Sequence, residues 1–594
     1  MSLSRHVAET ASTLIHRLAD RAQAHGEQVA VSFTAGDNAW SSVTYAELAS
    51  RAMAIGERLR SHRRPGEQPQ FVLIALPNGI DYVASFYGCL AAGAVAVTFY
   101  PPALMTSRAA VAFTHRLEQI MQDCRPSVLV LPGDLVERVR DDLGEAALRG
   151  VTLIAAEDLP QAGGPDLGNM AARPNDLALL QYTSGSTSVP KGVMVHHANL
   201  AHNVTGIAKS LGCRQGEQAT TWLPLFHDMG LIGMLCQPLW AGMTVNLLTP
   251  PAFVRRPYLW LDTMSRTRSV ITMAPNFAYD LCVRRITDAQ RETLDLSHVR
   301  HAVNAAEPVR PTTIEAFTKT FERHGFNPHA MMPAYGMAEN TLAVTVSQHQ
   351  HDPVLREVDA GHLRLQGVVR PAHDAPATVL VGCGPDFTTD SETVIVDPTT
   401  ATACPDGTVG EIWITGPSVA QGYWGKAQES AETFAAELPD DGRRFLRTGD
   451  LGVKIDEVMY IVGRVKDTII RHGVNHYPQD LEYTAEQADP AVHPGGSVAL
   501  ATPHEDGELV VLVCELAQYG RDLNAPAVIT AVRRAVVEEH GLQVDVISLV
   551  RKGQVPKTTS GKVRRRASAE RWLAGEFDTV ATWPNTISTQ EAAP

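Results

Sequence analysis

Two loops of glycine and hydroxyl residues each carry a lysine. The upstream loop is Thr183-Ser184-Gly185-Ser186-Thr187-Ser188-Val189-Pro190-Lys191-Gly192, and the downstream one is Pro556-Lys557-Thr558-Thr559-Ser560-Gly561-Lys562. A concave run of backbone amides binds anions, and the hydroxyls of Thr183, Ser184, Ser186 and Thr187 and the charge of Lys191 would add to it. The Gly-x4-Gly-Lys-Ser/Thr spacing of a P-loop is absent. Between the loops stand Tyr335-Gly336-Met337-Ala338-Glu339 and Thr448-Gly449-Asp450. Taken in order, these supply a phosphate cradle, a carboxylate for a hard cation such as Mg²⁺, a carboxylate for ribose hydroxyls and a second cation. That set describes a site for ATP and a carboxylate substrate. His227-Asp228, after Pro224-Leu225-Phe226, could suggest a triad, but no serine in a strained elbow motif accompanies the pair, so hydrolase chemistry is not expected. Asp228 is expected to orient His227 or cap a helix, and His349 and His351 read as exposed polar residues.

Such residues need strands that end in loops. Phe71 to Leu76, Val128 to Leu131, Leu177 to Tyr182, Ser269 to Pro275 and Val299 to Ala306 read as buried strands. Thr10 to Ala24 and Val83 to Ala92 read as helices, and Asn199 as a cap. Strands alternating with helices predict parallel sheets covered by helices. From about residue 378 short β runs with glycine turns predict a smaller β unit. After Arg464 the texture is α+β, with Val510 to Val513 a strand and Ala527 to His540 a helix. The expected class is thus α/β. A large N-terminal domain (1–463) of two mixed or parallel sheets includes a small β-barrel-like unit at about 378–463. A small mobile α+β domain (467–576) carries Lys562, and a frayed tail (577–594) ends the chain.

The 594 residues exceed one ordinary core. Hydrophobic and charged contents of 44% and 20% are those of a folded globular protein. A net charge of −14 argues against nucleic acid as the main partner. An acidic protein partner would need a local basic patch, for which Arg551-Lys552, Lys557, Lys562 and Arg564-Arg565-Arg566 are the candidate; a solvated strand end and helix start is the equal alternative. The eight cysteines form no CxxC pair, which disfavours zinc ribbons and fits a reducing, cytoplasmic setting. No run has the length and apolarity of a membrane span.

With these motifs quoted, the chain resembles the adenylate-forming ligases, from about residue 10 to about 570. Further motif matches are Tyr182 to Gly192, Pro224 to Gly230, Pro333 to Glu339, Gly410 to Gly416, Arg447 to Gly452, Gly463 to Asp467 and Pro556 to Lys562. Within that superfamily it is most similar to the fatty acyl-AMP ligases. That likeness rests on Asn475 to Glu482, on Ala305-Ala306-Glu307-Pro308-Val309, and on a long stretch after Glu339 placed at about 348–376, where an insertion restrains the small domain. A tolerated surface loop is the plainer reading of the last feature.

The resemblance implies ATP and Mg²⁺ as cofactors, with Glu339 on the metal. Tyr335, Gly336 and Met337 would lie at the adenine, and Ala305, Ala306, Glu307 and Pro308 on its other side. Asp450 would hold the ribose with Arg464 nearby. His227 would line the carboxylate end of the acyl pocket, and Lys562 would be the catalytic cation. Lys466, at 464–466, would be the hinge. Met229, Leu231, Met234, Met273 and Phe277 are acyl-tunnel candidates, with ordinary core packing as their alternative. Ser188, Asn340 and Val474 depart from the family pattern.

The implied reaction joins a medium- or long-chain fatty acid to AMP with loss of pyrophosphate. The acyl group then passes to the thiol of a holo acyl carrier protein or a polyketide or nonribosomal synthase carrier domain. A fatty acyl-CoA ligase and a non-catalytic nucleotide- or acyl-binding sensor remain the alternatives.

Overall fold

Short apolar, β-branched runs closed by Pro, Asn and Gly become the inner strands of two sheets. The computed structural model describes residues 12–36, 39–67, 69–100, 107–163, 172–183, 190–373, 376–439, 441–471, 473–504, 507–518, 520, 523–558 and 561–584. Among these residues one sheet runs in the order Thr152–Ala155, Val128–Leu131, Phe71–Ile74, Val95–Thr98, Leu177–Thr183, Lys191–His196. Its strands are parallel except for the last pair. There Thr183 lies opposite Lys191, so the hydroxyl-rich loop leaves and re-enters the sheet at one point. Ser184, Gly185, Ser186 and Thr187 lie outside the described residues, as does Ser188.

The second sheet has eight strands: Ala343–Val346, Met331–Gly336, His301–Asn304, Ile271–Ala274, Gln218–Thr221, Thr244–Leu248, Val29–Thr34, Ser41–Thr44. Its centre is parallel and its two outer pairs are antiparallel. Helices Tyr45–Ser61 and Ile80–Ala92 contribute to the shared core, the first opened by a Thr44–Glu47 capping box. The strands converge at their carboxyl ends, where α/β sheets place their ligands.

A third sheet is antiparallel and built on Asp441–Ile455, which pairs with Gly410–Thr415 and with Val458–Arg464. Its register sets Asp450 opposite Arg464. The C-terminal domain has its own core, in which Leu512, Val532, Val536 and Leu549 pack together. The end of the chain departs from the expected frayed tail: Thr579–Trp583 is a strand, antiparallel to Val546–Val550, and the Arg533 guanidinium lies 4.4 Å from the Trp583 ring. Strand pairing and this cation–π contact hold what composition alone reads as loose; residues 585–594 lie outside the described set.

The stretch expected as an insertion folds as a two-stranded ribbon, Leu355–Asp359 against Ala377–Val381, around the helix Ala360–Gln366. Val358 and Leu363 pack with Tyr460 and Val462 of the β unit and with Tyr477 of the C-terminal domain. Arg364 Nη1 donates to Glu539 O at 2.9 Å. Two expectations need correction. Asn199 is not the helix cap but sits inside the first turn, accepting from His196 N at 2.9 Å and donating to the carbonyls of Pro417 and Val419. His349 is half-buried, its ring 4.6 Å from that of buried His301, because the chain turns back over the second sheet there. Among the described residues no helix is long and apolar enough to cross a membrane.

Candidate active site

Tyr335 is the penultimate residue of the strand Met331–Gly336, and its hydroxyl donates to Asp450 Oδ2 at 2.7 Å. Arg464 Nε donates to Asp450 Oδ1 at 2.5 Å. Attraction to Asp450 raises the guanidinium's pKa, and burial followed by Asp450 pushes the Tyr335 phenol well up. Gly336 is required here: a Cβ would stand 2.1 Å from Leu342 O, in a turn that approaches its own strand. On the opposite wall lie Ala305, Ala306, Glu307 and Pro308, with Met337 beside Tyr335. Ala306 has φ of 73°, a left-handed backbone that non-glycine residues adopt mainly under constraint. The Glu307 carboxylate is engaged, with Oε1 accepting from Phe277 N at 2.6 Å at the start of the helix Asn276–Arg285. Burial raises its pKa; that amide and Lys562 act the other way.

Glu339 faces the same cavity, where its Oε1 accepts from the Tyr423 hydroxyl at 2.9 Å. Burial pushes its pKa up, and nearby Asp228 adds to the effect. A buried acid of this kind beside a second acid suits a hard divalent cation, which would offset both charges. No group of three or more His, Cys, Asp or Glu that could hold a metal occurs among the described residues. Lys191 forms an ion pair with Glu429 and lies 5.0 Å from the Tyr423 ring. It thus stands behind the Glu339–Tyr423 pair, at the foot of the hydroxyl-rich loop, and is not part of the cavity wall.

His227 and Asp228 sit in a turn that two buried amides hold. Asn78 Nδ2 donates to Leu223 O and its Oδ1 accepts from Leu225 N, while Gln181 Nε2 donates to Phe226 O at 2.8 Å. Asp228 Oδ1 accepts from Met229 N at 2.7 Å, so Asp228 caps the following helical turn. Burial, then the charge of Lys562, lowers His227 to about 4, leaving a neutral imidazole. Burial raises Asp228 while Lys562 opposes it. Lys562 lies exposed on its loop, and a Cβ on the preceding Gly561 would meet Phe277 at 3.9 Å. The C-terminal lysine therefore faces His227, Asp228 and Glu307 across a cavity of about 1580 Å³ between the domains.

Met229 and Phe277 line this cavity. Leu231, Met234 and Met273 do not: they are buried in the main core, with the Met273 sulfur packed against Gly233. Leu231 and Met234 lie in the helical segment Met229–Cys236 and Met273 in the strand Ile271–Ala274, a difference of setting that residue type alone does not reveal. Lys466 lies between the strand Val458–Arg464 and the strand Ile469–Arg471, next to Asp467, which pairs with Arg565 at 3.2 Å. Asn340 points away from the cavity, with Nδ2 donating to Ala343 O at 2.7 Å. It closes a turn that Thr341 completes with φ of 66°. Val474 lies in a short strand paired with Arg471. Of the basic candidates, Arg565 is taken up by Glu482 and Asp467, and Arg566 pairs with Glu570.

Sequence reasoning missed Tyr423, Arg310, Asn78 and Gln181. Pro77-Asn78-Gly79 reads as a turn after a buried strand, but a turn signal does not say what its side chain reaches.

The AMP-binding enzyme family matches residues 18–424, and a Disco-interacting protein 2-like AMP domain matches 466–582. The chain is 38% identical over 575 residues to the medium-chain-fatty-acid–[acyl-carrier-protein] ligase JamA of Moorena producens, covering 96% of each. A solved structure from studies of the fatty acyl-adenylate ligases of E. coli and L. pneumophila superposes with a TM-score of 0.85 at 30% identity, over 95% of this chain and 98% of the other. The fatty acyl-adenylate ligase of L. pneumophila in complex with acyl adenylate and pyrophosphate gives 0.72 at 33% identity, over 97% and 98%.

Proposed function

We propose, on the premise that this chain belongs to the AMP-binding enzyme family, that it joins a medium- or long-chain fatty acid to AMP and passes the acyl group to the phosphopantetheine thiol of an acyl carrier protein. A fatty-acid carboxylate oxygen attacks the α-phosphorus of ATP, and the bond to pyrophosphate breaks. Tyr335 and the Ala305–Pro308 wall hold adenine, and Asp450, aligned by Arg464, accepts from the ribose. Glu339 would hold Mg²⁺, which when bound neutralises phosphate charge. Lys562 meets the negative charge that gathers on the α-phosphate and the acyl oxygen. His227 is neutral and orients the carboxylate without adding a second cation. In the second step the thiol sulfur attacks the acyl carbonyl and AMP leaves. The insertion's contacts with Tyr477 and Glu539 favour a carrier protein over free CoA by limiting where the small domain can go.

The observation that carries the reading is the meeting of Lys562 with His227, Asp228 and Glu307, three acid–base groups of the other domain. Pyrophosphate release from ATP should be measured with acids from octanoate to octadecanoate, with CoA or a holo acyl carrier protein as acceptor. Release with at least one acid, and acylation of the carrier but not of CoA, is expected. No release with any acid sinks the ligase; turnover with CoA would make it an acyl-CoA ligase.

A further inference from the structure

One loop touches both the nucleotide wall and the small domain. Arg310 follows Ala305–Val309 directly, and its backbone N donates to Asn276 Oδ1 at 3.0 Å, which fixes where its side chain starts. Nη1 donates to Asp480 Oδ1 at 3.0 Å and Nη2 to Gln479 O at 2.6 Å. The guanidinium also lies 4.8 Å from the Tyr483 ring, whose hydroxyl is 2.9 Å from Thr312 Oγ1. All three small-domain partners lie on the helix Pro478–Ala488, Gln479 and Asp480 in its first turn. That helix carries Glu482, which binds Arg565 Nε and Nη2 at 3.0 and 2.7 Å, three residues beyond Lys562.

A second arm leaves the same loop. Glu307 holds the amide of Phe277, and Phe277 lies against Gly561, the neighbour of Lys562. The two arms therefore end on either side of Lys562, one at Arg565 through a helix of the small domain and one at Gly561 through a helix of the large domain.

We infer that Arg310 is a positioning residue for adenylation, clamping the small domain so that the state of the adenine wall and the placement of Lys562 are coupled; this rests on the ligase reading above. The clamp suits a contact that must open again. Arg310 and Asp480 are partly exposed, at 21% and 41% of their side-chain surface, and partly exposed ion pairs are weak enough to break in each cycle. Breaking the clamp would free the small domain to turn away for the thiol step.

The test compares the full-length wild type, Arg310→Ala, Asp480→Ala and the double variant, with dodecanoate and ATP. Displacement of a catalytic group by about 1 Å costs about 10²-fold, so Arg310→Ala should lower kcat for pyrophosphate release by that order with the KM for ATP unchanged. Asp480→Ala, which alters no residue of the nucleotide wall, should lower kcat in the same direction by less. The double variant should be no worse than Arg310→Ala, as for residues acting through one contact. In parallel, fluorophores on non-canonical residues replacing exposed Arg266 and Arg534 report the interdomain distance without substrate; a single distance should broaden in both single variants. A raised KM for ATP with kcat intact would make Arg310 a nucleotide ligand and overturn the proposal, as would a kcat loss without any change in distance. Inactivity of the wild type with every acid from octanoate to octadecanoate would instead sink the ligase reading, while the distance measurement still judges the clamp.

Discussion

The two halves of the site are built differently. On the proposed nucleotide side Tyr335, Asp450 and Arg464 interlock within 2.7 Å, across two sheets, and Tyr423 ties down Glu339. On the other side Lys562 stands on a glycine loop and is exposed; among the described residues no ion pair involves it, while its loop is held by backbone contacts such as Thr558 N to Lys562 O. A fixed polar wall costs no reorganisation during reaction, which suits a nucleotide present through both steps. In the proposed reaction a cation that serves only the first step gains from being removable, since the thiol would reach the same carbonyl afterwards.

This contrast ranks the expected losses. Lys562→Ala should cause the largest, about 10²–10³-fold in adenylation rate, the usual effect of losing one donor that acts on the transition state. ATP binding, measured by calorimetry, should stay near wild type, because the lysine lies outside the interlocked wall. Loss of binding together with rate would erase the distinction between the halves.

Asp450→Ala should do the reverse. It removes the acceptor shared by Tyr335 and Arg464 and leaves a buried phenol unpaired, at a cost of about 1–3 kcal/mol. Thermal unfolding should shift down and the KM for ATP should rise. A variant of unchanged stability would mean that the network is not the preorganised wall described above.

Legibility followed the same division. The strands Leu177–Thr183, Ile271–Ala274 and His301–Asn304 were readable because an apolar run ends in a loop with special residues. Tyr335, Glu339, Asp450 and Lys562 stood out because each sits in a short motif, and all four line one cavity. For Met234 and Met273 tunnel lining and core packing both stayed open, because a buried methionine looks the same in either place; the structure puts both in the main core cluster. Arg310 and Tyr423 were invisible for a different reason: their partners lie at residues 479–483 and 339, and a single sequence carries no signal of such pairing. The strand Thr579–Trp583 was missed because exposed edge strands are short and polar, much like tails.

Acidity offers the finest test of the contrast, through histidines that report on each side. His227 is lowered to about 4 by burial and then by Lys562. His476 is lowered to about 4 and His540 to about 3, by burial and then by Arg364 of the insertion helix. All three are neutral in the fold, with folded values below the unfolded value of 6.5. As pH falls below 6.5 the unfolded chain takes up protons that the native imidazoles refuse, so stability is present above 6.5 and is lost from there toward about 4. Replacing Arg364 with Ala removes a cation beside His476 and His540 and lets their folded values rise, which narrows that window. The variant should unfold at a lower temperature than wild type at pH 7, having lost the bond to Glu539 O, yet its melting temperature should fall less between pH 6.5 and 4. Lys562→Ala should flatten the same slope through His227, Asp228 and Glu307, whose folded values its charge holds down, and leave the contact of Arg364 intact, so combining the two should add. Additivity is expected because no residue is shared between the two charge contacts; a combined effect smaller than the sum would mean that the insertion and the lysine loop already act as one unit, and that the removable half of the site is less independent than its geometry implies.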